Sequence, residues 1–149
     1  MNPVLSMIAA ATPHGVLGSK NELPWPRLTT DMRHFRETTR NAPLIVGRLT
    51  AESLPELPDR AVHVLSGQTP HYVLRTACRT DSPEVFVAGG AQTYRAFMPY
   101  INRIYLTTVH GHYEGDTHLP PIPRSFVVRA SKVVRDPSGV LLTFRTLER

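Results

Sequence analysis

Two short apolar runs, each ending at or just before glycine and leading directly into a helix-forming stretch, are the feature that most constrains this chain. They are PLIVG (43–47), followed by RLTAESL, and EVFVA (84–88), followed by GGAQTYRAFM. A run that is apolar at nearly every position is typical of a strand covered on both faces, as in a parallel sheet. Helices that follow such strands can carry the chain across to the next parallel strand. The sequence therefore predicts an α/β fold.

Further segments continue the same alternation. Strand-like runs occur at 3–10, 60–66, 103–110, 125–134 and 139–147, and helical stretches at 29–40, 48–54 and 91–98, the last ended by Pro99. The tight-turn sequence DPSG joins the last two runs, so we expect an antiparallel hairpin at the sheet edge. No linker or repeat divides the 149 residues. We expect a single domain, residues 1–149, with a mixed, mostly parallel β-sheet flanked by helices and a C-terminal antiparallel hairpin.

The charge of the chain favours anionic partners. The formal net charge is +5, and nearly all of the 17 basic residues are arginines. They are scattered, whereas nucleic-acid-binding proteins usually concentrate them in a patch, so small anionic ligands are favoured over nucleic acid. No run approaches the roughly 20 apolar residues that span a bilayer, and the first residues do not resemble a signal peptide. With its lone Cys78, the chain is expected to be cytoplasmic and without an internal disulfide.

Asp31 lies in the first turn of the helix predicted at 29–40. Thr29 or Thr30 is the candidate N-cap, because a threonine hydroxyl can accept hydrogen bonds from the unpaired N–H groups of a first turn. Phe35, four residues on, shares a helix face with Asp31. The spacing alone favours a solvent-facing carboxylate that complements the helix dipole over a buried, functional one.

The segment before this helix, HGVLGSKNELPWP (14–26), changes that balance. It holds two glycines, two prolines and the only tryptophan. Such a loop can fold over a cleft, with Gly15 and Gly18 allowing its backbone to approach a ligand. The alternative is an ordinary surface connection.

The two strand-to-helix junctions are candidate phosphate sites. Each places glycine where a strand ends, and the start of a helix offers unpaired N–H groups to an anion. Arg48 follows the first glycine, and a guanidinium suits a phosphate monoester. The full G-x-G-x-x-G fingerprint is absent, so either junction alone is equally compatible with a plain turn. Ligands of open α/β sheets sit at the carboxyl ends of the strands, where both junctions fall, so together they indicate a ligand site.

The segment HGHYEGDTH (110–118) raises the possibility of a metal site, with His110, His112 and His118 as ligands. Histidines at a strand end are more often surface or core residues, and the sequence offers no obvious further ligand. Cys78 as a nucleophile lacks a local signature. We therefore expect no metal.

Taken in order, LPW (23–25), the D-x-x-x-F spacing of 31–35, GR (47–48) and GG-x-x-x-Y (89–94) form a specific combination that resembles the dihydrofolate reductase family. The similarity runs through most of the chain and includes MIAA (7–10), IYLT (104–107) and EGDTHLP (114–120). The resemblance implies an NADPH-dependent enzyme that reduces 7,8-dihydrofolate to 5,6,7,8-tetrahydrofolate. The reaction would be hydride transfer to the pterin with protonation of the adjacent ring nitrogen.

The resemblance also implies roles for residues on the substrate side. Asp31 would hydrogen-bond the pterin, with Thr107 linked to its carboxylate, and Trp25 would fix a water nearby. Arg60 would hold the glutamate α-carboxylate, which suits a planar bidentate guanidinium. Leu23 would join Asp31 and Trp25 in the catalytic group. The pterin and aminobenzoyl pocket would be lined by Ile8, Leu23, Phe35, Leu54 and Leu57.

On the cofactor side, the loop from Gly15 to Trp25 would close over the nicotinamide. The residues that the resemblance implies for NADPH are Ala10, Leu17, Gly18, Gly47, Arg48, Leu49, Thr50, Ser66, Gly89, Gly90, Ala91, Gln92, Thr93, Tyr94 and Thr117.

Two departures from the family pattern concern the adenosine end of the cofactor. Only about 18 residues separate Ser66 from Val85, which is shorter than the usual strand and helix there. Leu49 stands where many members carry a polar or basic residue, so selectivity for the 2′-phosphate would rest on Arg48 and Arg75.

Two other functions remain open. One is a related reductase acting on a pterin or pyrimidine intermediate, and the other is a non-catalytic ligand-binding or structural protein that keeps the fold. The expected partners are dihydrofolate and NADPH, without nucleic acid or membrane, for a chain that acts as a monomer.

Overall fold

The apolar runs of the sequence form strands, and the segments between them form helices. The computed structural model describes residues 2–18 and 23–149. Its strands are β1 (Val4–Ala11), β2 (Val16–Gly18), β3 (Leu44–Gly47), β4 (Val62–Leu65), β5 (Glu84–Val87), β6 (Arg103–Val109), β7 (Thr117–His118), β8 (Val127–Arg135) and β9 (Leu141–Glu148). Its helices are α1 (Thr29–Thr38), α2 (Arg48–Ser53), α3 (Pro70–Ala77) and α4 (Ala91–Phe97), the last followed by a 3-10 turn, Met98–Tyr100. None of the helices in these ranges combines the length and apolar character needed to cross a membrane.

Parallel strands form the centre of the main sheet. Within the described ranges its strand order is β4-β3-β5-β1-β6-β9-β8. β1 lies between β5 and β6, and its Met7 pairs with Val87 on one side and Ile104 on the other. β9 runs antiparallel to β6, and β8 antiparallel to β9, so the C-terminal hairpin closes one edge. The predicted mixed, mostly parallel sheet with this hairpin is confirmed.

Alternate residues of the central strands divide between two apolar layers, because successive side chains of a strand point to opposite faces. Met7 belongs to the layer that also contains Val73 of α3 and Phe97 of α4. Ile8 belongs to the other layer, against which Phe35 of α1 packs. Full burial of side chains of this size contributes about 1.5–3 kcal/mol each. The second layer, called here the α1 face, contains Asp31 and the predicted pterin pocket.

A polar network occupies the α1 face near the start of the parallel strands. Glu84 of β5 accepts hydrogen bonds from the hydroxyls of Ser6 and Tyr105. Arg103 pairs with Glu84 at 3.2 Å and with Glu148 of β9 at 3.1 Å. The charged groups are only partly buried, but the members of the network come from four strands, and their mutual hydrogen bonds favour one alignment of those strands.

Helix α3 lies where no helix was predicted, inside the shortened segment between Ser66 and Val85. Thr69 is its N-cap, and its hydroxyl accepts a hydrogen bond from the Tyr72 N–H at 3.3 Å. Pro70 follows at the first helical position, which proline favours. The helix buries Val73 and Ala77 against the sheet. The short segment therefore still supplies a complete crossover helix.

The strands β2 and β7 form a separate two-stranded ribbon that the sequence did not predict. The ribbon is joined by antiparallel pairing and by the Leu119 N–H, which donates to the Gly15 carbonyl at 2.8 Å. Next to it, Gly115 lies against the backbone of β2. A Cβ added at Gly115 would overlap the carbonyl oxygen of Gly18 and lie 2.6 Å from a methyl group of Val16. Only glycine fits at position 115 without a movement of the backbone.

We therefore expect Gly115→Ala to lower the free energy of unfolding by about 1–3 kcal/mol, the usual cost of overpacking. The added methyl group forces the segment before β7 away from β2. Urea unfolding measures the change. Glu114→Ala, at an exposed neighbouring position, is the matched control and should change stability by less than about 0.5 kcal/mol. Equal stability of the two variants would contradict the close approach.

Candidate active site

The functional candidates gather where the parallel strands end. Gly47 closes β3, and Gly89 follows β5 by two residues. The Gly47 N–H donates to the Gly89 carbonyl at 2.8 Å, which places the two glycine junctions side by side. Thr107, near the end of β6, lies at the same edge, paired with Ala10 of β1. Carboxyl ends of parallel strands are where ligands of open α/β sheets bind.

Asp31 is half-buried on the α1 face and does not extend into solvent as its spacing alone favoured. The Thr107 hydroxyl, itself almost fully buried, donates a hydrogen bond to the Asp31 carboxylate. Burial raises the pKa of Asp31, the Thr107 hydrogen bond opposes that rise, and the charge of Asp136 adds to it. A carboxyl with a raised pKa in a cleft is a candidate proton donor.

Asp136 caps helix α1, so the prediction of a threonine cap is wrong. The N-cap position is Leu28, which has no polar side chain, and Thr29 and Thr30 are the first helical residues. The Thr30 N–H donates to Oδ1 of Asp136 at 2.9 Å from 106 residues away. A cap from the turn between β8 and β9 leaves no signal beside the helix, so local patterns cannot reveal it.

The predicted apolar wall of the pocket is largely brought together. Ile8 is buried on β1, and Phe35 and Leu57 pack against its cluster. Leu54 is half-buried where α2 ends. Leu23 is 62% exposed and follows directly on residues 19–22, which the structure does not describe. Its place in the wall stays a prediction.

Trp25 anchors the segment that was predicted to fold over a cleft. Its indole is buried in a cluster with Leu28 and Val109, and it meets the ring of Tyr113 edge-on at 6.3 Å between centroids. Val16 is buried at the other end of the segment. Residues 19–22, the middle of the predicted lid, lie outside the described residues. The contact of Trp25 with a water stays a prediction.

Arg60 is held against the carboxyl-terminal end of α1. Its Nε donates to the Thr39 carbonyl at 3.0 Å, and its Nη2 donates to the Arg36 carbonyl at 2.7 Å. A carboxylate oxygen of Asp59 lies 3.5 Å from the guanidinium, and the Arg60 side chain is only 2% exposed. A guanidinium has five donor N–H groups, so these carbonyls orient it and leave capacity for a carboxylate.

The glycine junctions form a closely packed cradle. A Cβ on Gly47 would lie 2.7 Å from Oγ1 of Thr93, and one on Gly89, whose φ is +128°, would lie 3.5 Å from Thr50. The peptide between Gly89 and Gly90 is cis. Among the residues that the structure describes, no side chain caps α2 or α4. The uncapped helix starts leave N–H groups that a phosphate-bearing ligand could use.

Tyr94 links the second junction to β1. Its hydroxyl donates to the Ile8 carbonyl at 2.7 Å. Burial, with the charge of Asp31, raises the pKa of Tyr94, so the phenol keeps its proton and acts as a donor. Ala10 packs against the cluster of Trp25, whereas Leu17 of β2 packs against the main core. Gly18 ends β2.

The residues predicted for the phosphate and adenosine end are mostly at the surface. Leu49 is 54% exposed, and Arg48, Ser66, Arg75 and Gln92 are exposed as well. Ala91 is the first residue of α4. The Thr117 hydroxyl donates to Asp116 at 3.0 Å. The contacts of all these residues with a cofactor stay predictions.

The histidine segment forms no metal site in the described ranges. His110 bonds the Thr143 hydroxyl at 2.7 Å, and His112 lies 3.9 Å from Glu114. His118 is exposed on β7. No group of three or more His, Cys, Asp or Glu residues among residues 2–18 and 23–149 is placed to hold a metal ion.

The known proteins that this chain resembles in sequence and in fold are dihydrofolate reductases. A family model described as dihydrofolate reductase matches residues 4–149. The chain is 35% identical over 133 residues to the dihydrofolate reductase of Bacillus subtilis (strain 168), covering 82% of this chain and 79% of that one. It is 34% identical over 128 residues to dihydrofolate reductase type 3 of Salmonella typhimurium, covering 78% of each. A solved dihydrofolate reductase from Enterococcus faecalis, complexed with NADP(H) and RAB-propyl, superposes with a TM-score of 0.89 at 27% identity. That superposition covers 98% of this chain and 96% of the other.

The raised pKa of Asp31 predicts a stability change in the ligand-free protein. The folded pKa lies above the ordinary value of 3.8, so ionisation removes stability as pH rises from that value through the folded pKa. Asp31→Asn should therefore raise the free energy of unfolding at neutral pH, and the gain should shrink as the pH falls through this window. Urea unfolding across pH measures it.

Asp81→Asn is the control for the removal of one negative charge, since Asp81 is exposed. Its stability relative to the unsubstituted protein should vary little over the same range. A difference for Asp31→Asn that does not change with pH would contradict the raised pKa.

Proposed function

This chain belongs to the dihydrofolate reductase family, and we propose that the cleft around Asp31 is where it reduces 7,8-dihydrofolate to 5,6,7,8-tetrahydrofolate. Members of this family are NADPH-dependent enzymes, and this chain is one of them. One observation carries the assignment of the site: a half-buried carboxyl with a raised pKa, hydrogen-bonded to Thr107. The roles below follow from what each side chain contacts.

The paired glycine junctions fit NADPH. Residues 89–93 would receive the pyrophosphate, and residues 47–50 would meet the phosphate side, because glycine lets both backbones approach and the starts of α2 and α4 are uncapped. Ala10, Leu17 and Gly18 would lie along the nicotinamide. When bound, the cofactor supplies the hydride.

The adenosine end of NADPH would be held by charged side chains, unlike the pyrophosphate, which the glycine backbone would receive. Leu49 carries no charge, so selectivity for the 2′-phosphate over a plain ribose would come from the exposed guanidinium groups of Arg48 and Arg75, with Ser66 beside them. Guanidinium groups bind phosphate in bidentate fashion. This arrangement favours NADPH over NADH.

Asp31 would bind and polarise the pterin. When ionised, its carboxylate would accept hydrogen bonds from the exocyclic amino group and a ring nitrogen of the pterin, and the Thr107 hydroxyl fixes its orientation. Because its pKa is raised, Asp31 retains a proton to a higher pH than an exposed carboxyl does. That proton is available for protonation of the pterin ring nitrogen next to the carbon that receives the hydride. A donor whose pKa approaches the working pH is the more effective acid catalyst.

The remaining residues would orient the substrate. Ile8, Phe35 and Leu57 form an apolar surface for the pterin and aminobenzoyl rings. Arg60, oriented by the end of α1, would bind the glutamate α-carboxylate through its remaining donors. Holding both ends of a substrate lowers the entropy lost on reaching the reactive geometry.

We also propose how the protein works in the cell. The main sheet includes strands from residue 4 to residue 148, which supports a single domain over residues 1–149. A free thiol at Cys78 suits the reducing cytoplasm. We expect a monomer that binds dihydrofolate and NADPH and no nucleic acid, and sedimentation with and without these ligands tests the oligomeric state.

The direct test of the function is the oxidation of NADPH by dihydrofolate, followed spectrophotometrically, with NADH as the comparison cofactor. Asp31→Asn should nearly abolish turnover at neutral pH, since the amide has no acidic proton, while NADPH affinity stays unchanged. Asp81→Asn serves as the control and should retain full turnover. Normal turnover by Asp31→Asn would remove Asp31 from the mechanism, whereas activity on another pterin or pyrimidine alone would overturn the choice of substrate.

Arg60→Ala should weaken dihydrofolate binding by about 2–4 kcal/mol, because a carboxylate in a confined site loses its charged partner. Isothermal titration measures the affinity. Arg40→Ala is the matched control: its side chain is 71% exposed and lies 3.9 Å from the same Asp59, so its loss should leave the affinity within experimental error. Unchanged affinity of Arg60→Ala would mean that the α-carboxylate binds elsewhere.

A further inference from the structure

We propose that Asp136 is a positioning residue for the reaction: from the turn between β8 and β9, its carboxylate fixes the first turn of α1 and with it Asp31. The inference rests on the proposed role of Asp31. It begins from the observation that α1 starts at Leu28, a residue that cannot cap a helix, and that its cap comes from a different part of the chain.

The Asp136 side chain is held on both carboxylate oxygens. Oδ1 accepts the Thr30 N–H at 2.9 Å, and Oδ2 accepts the Ser138 N–H at 2.9 Å. Its backbone is fixed as well, because its N–H donates to Val140 at 2.8 Å and its carbonyl accepts the Gly139 N–H at 2.8 Å. Asp136 is only 3% exposed. The carboxylate is therefore a rigid point on the hairpin turn to which α1 is attached.

The hydrogen bond from Thr30 to Asp136 lies next to Asp31. Thr30 directly precedes Asp31, so a change in the first turn of α1 moves the carboxylate relative to Thr107. The other end of the helix is held by Arg60, which binds the Thr39 carbonyl. Both ends of α1 are thus fixed by residues distant in sequence. A displacement of about 1 Å at a reacting group can cost roughly 100-fold in rate.

Asp136 also affects Asp31 through its charge. Hydrogen bonds, foremost from the Ser138 hydroxyl, hold the pKa of Asp136 well below its usual range despite burial, so it is ionised at neutral pH. Its negative charge disfavours ionisation of Asp31. Among the described residues, Tyr94 of α4 interacts electrostatically with Asp31 and stays protonated, and His34, one turn further along α1, stacks on Phe144 and has a pKa lowered by burial.

Two substitutions separate these effects. Asp136→Asn keeps an oxygen that can accept the Thr30 N–H but removes the charge, whereas Asp136→Ala removes both. Thr69→Ala is the matched control, because it removes a side-chain cap from α3, which packs on the opposite face of the sheet. This control reports the effect of losing a helix cap that does not contact α1.

The experiment measures the single-turnover rate of hydride transfer from NADPH to dihydrofolate as a function of pH, with NADPH affinity as the check that each variant is folded. We expect Asp136→Ala to lower the rate roughly tenfold, within the loss that misplacement can cause, and Asp136→Asn to recover most of it. The pH at which the rate falls to half should move lower in both variants, because Asp31 loses its proton more easily. Thr69→Ala should leave this midpoint unchanged.

The outcomes are distinguishable. An unsubstituted protein that does not reduce dihydrofolate refutes the proposed function, whatever the variants do. An active protein whose rate and midpoint are unchanged in both Asp136 variants overturns the positioning role. The same is true if Thr69→Ala shifts the midpoint equally. If Asp136→Ala does not bind NADPH, Asp136→Glu decides, because it keeps the charge and moves the acceptor by one methylene: a lower rate at an unshifted midpoint supports the positioning role, and an unchanged rate overturns it.

Discussion

The position of β1 between β5 and β6 is the constraint on which the rest of the structure depends. Parallel pairing on both sides of β1 brings Ile8 and Ala10 next to Thr107 of β6 and near the glycines that follow β5. These groups are distant in sequence, and only this strand order places them at one edge. Tyr94 reinforces the arrangement by bonding the Ile8 carbonyl from α4. The site is thus a consequence of sheet topology, and α1 brings Asp31 to it from outside the sheet.

Local signals predicted the parts of this arrangement that local chemistry determines. The glycine-ended apolar runs, the DPSG hairpin and the first-turn position of Asp31 were all found, since each depends on a few consecutive residues. Helix α3 was missed although Thr69 and Pro70 carry a recognisable start signal. The ribbon strands are too short for any periodicity. The burial of Asp31 and its cap depend on Thr107 and Asp136, which no pattern near residue 31 can indicate.

The site places two carboxylates, Asp31 and Asp136, in an arrangement that lowers the stability of the fold. Asp31 is half-buried near a second carboxylate, and both effects disfavour its ionisation, so the fold tolerates a group that it does not favour. Compensation comes from elsewhere: Thr107 bonds the carboxylate, Asp136 bonds the start of α1, and Arg60 bonds its end. Functional groups often destabilise the fold that holds them. Here the hydrogen bonds made by Thr107, Asp136 and Arg60 offset that loss.

The cap from the β8–β9 turn has a consequence for the order in which the protein is made. The residue that fixes the first turn of α1 leaves the ribosome more than a hundred residues after the helix itself. Synthesis proceeds from the amino terminus, and early segments can begin to fold before the rest is complete. A nascent chain that already contains the parallel strands therefore still lacks the group that fixes the first turn of α1. The catalytic geometry therefore depends on a segment that emerges 106 residues after the helix it fixes.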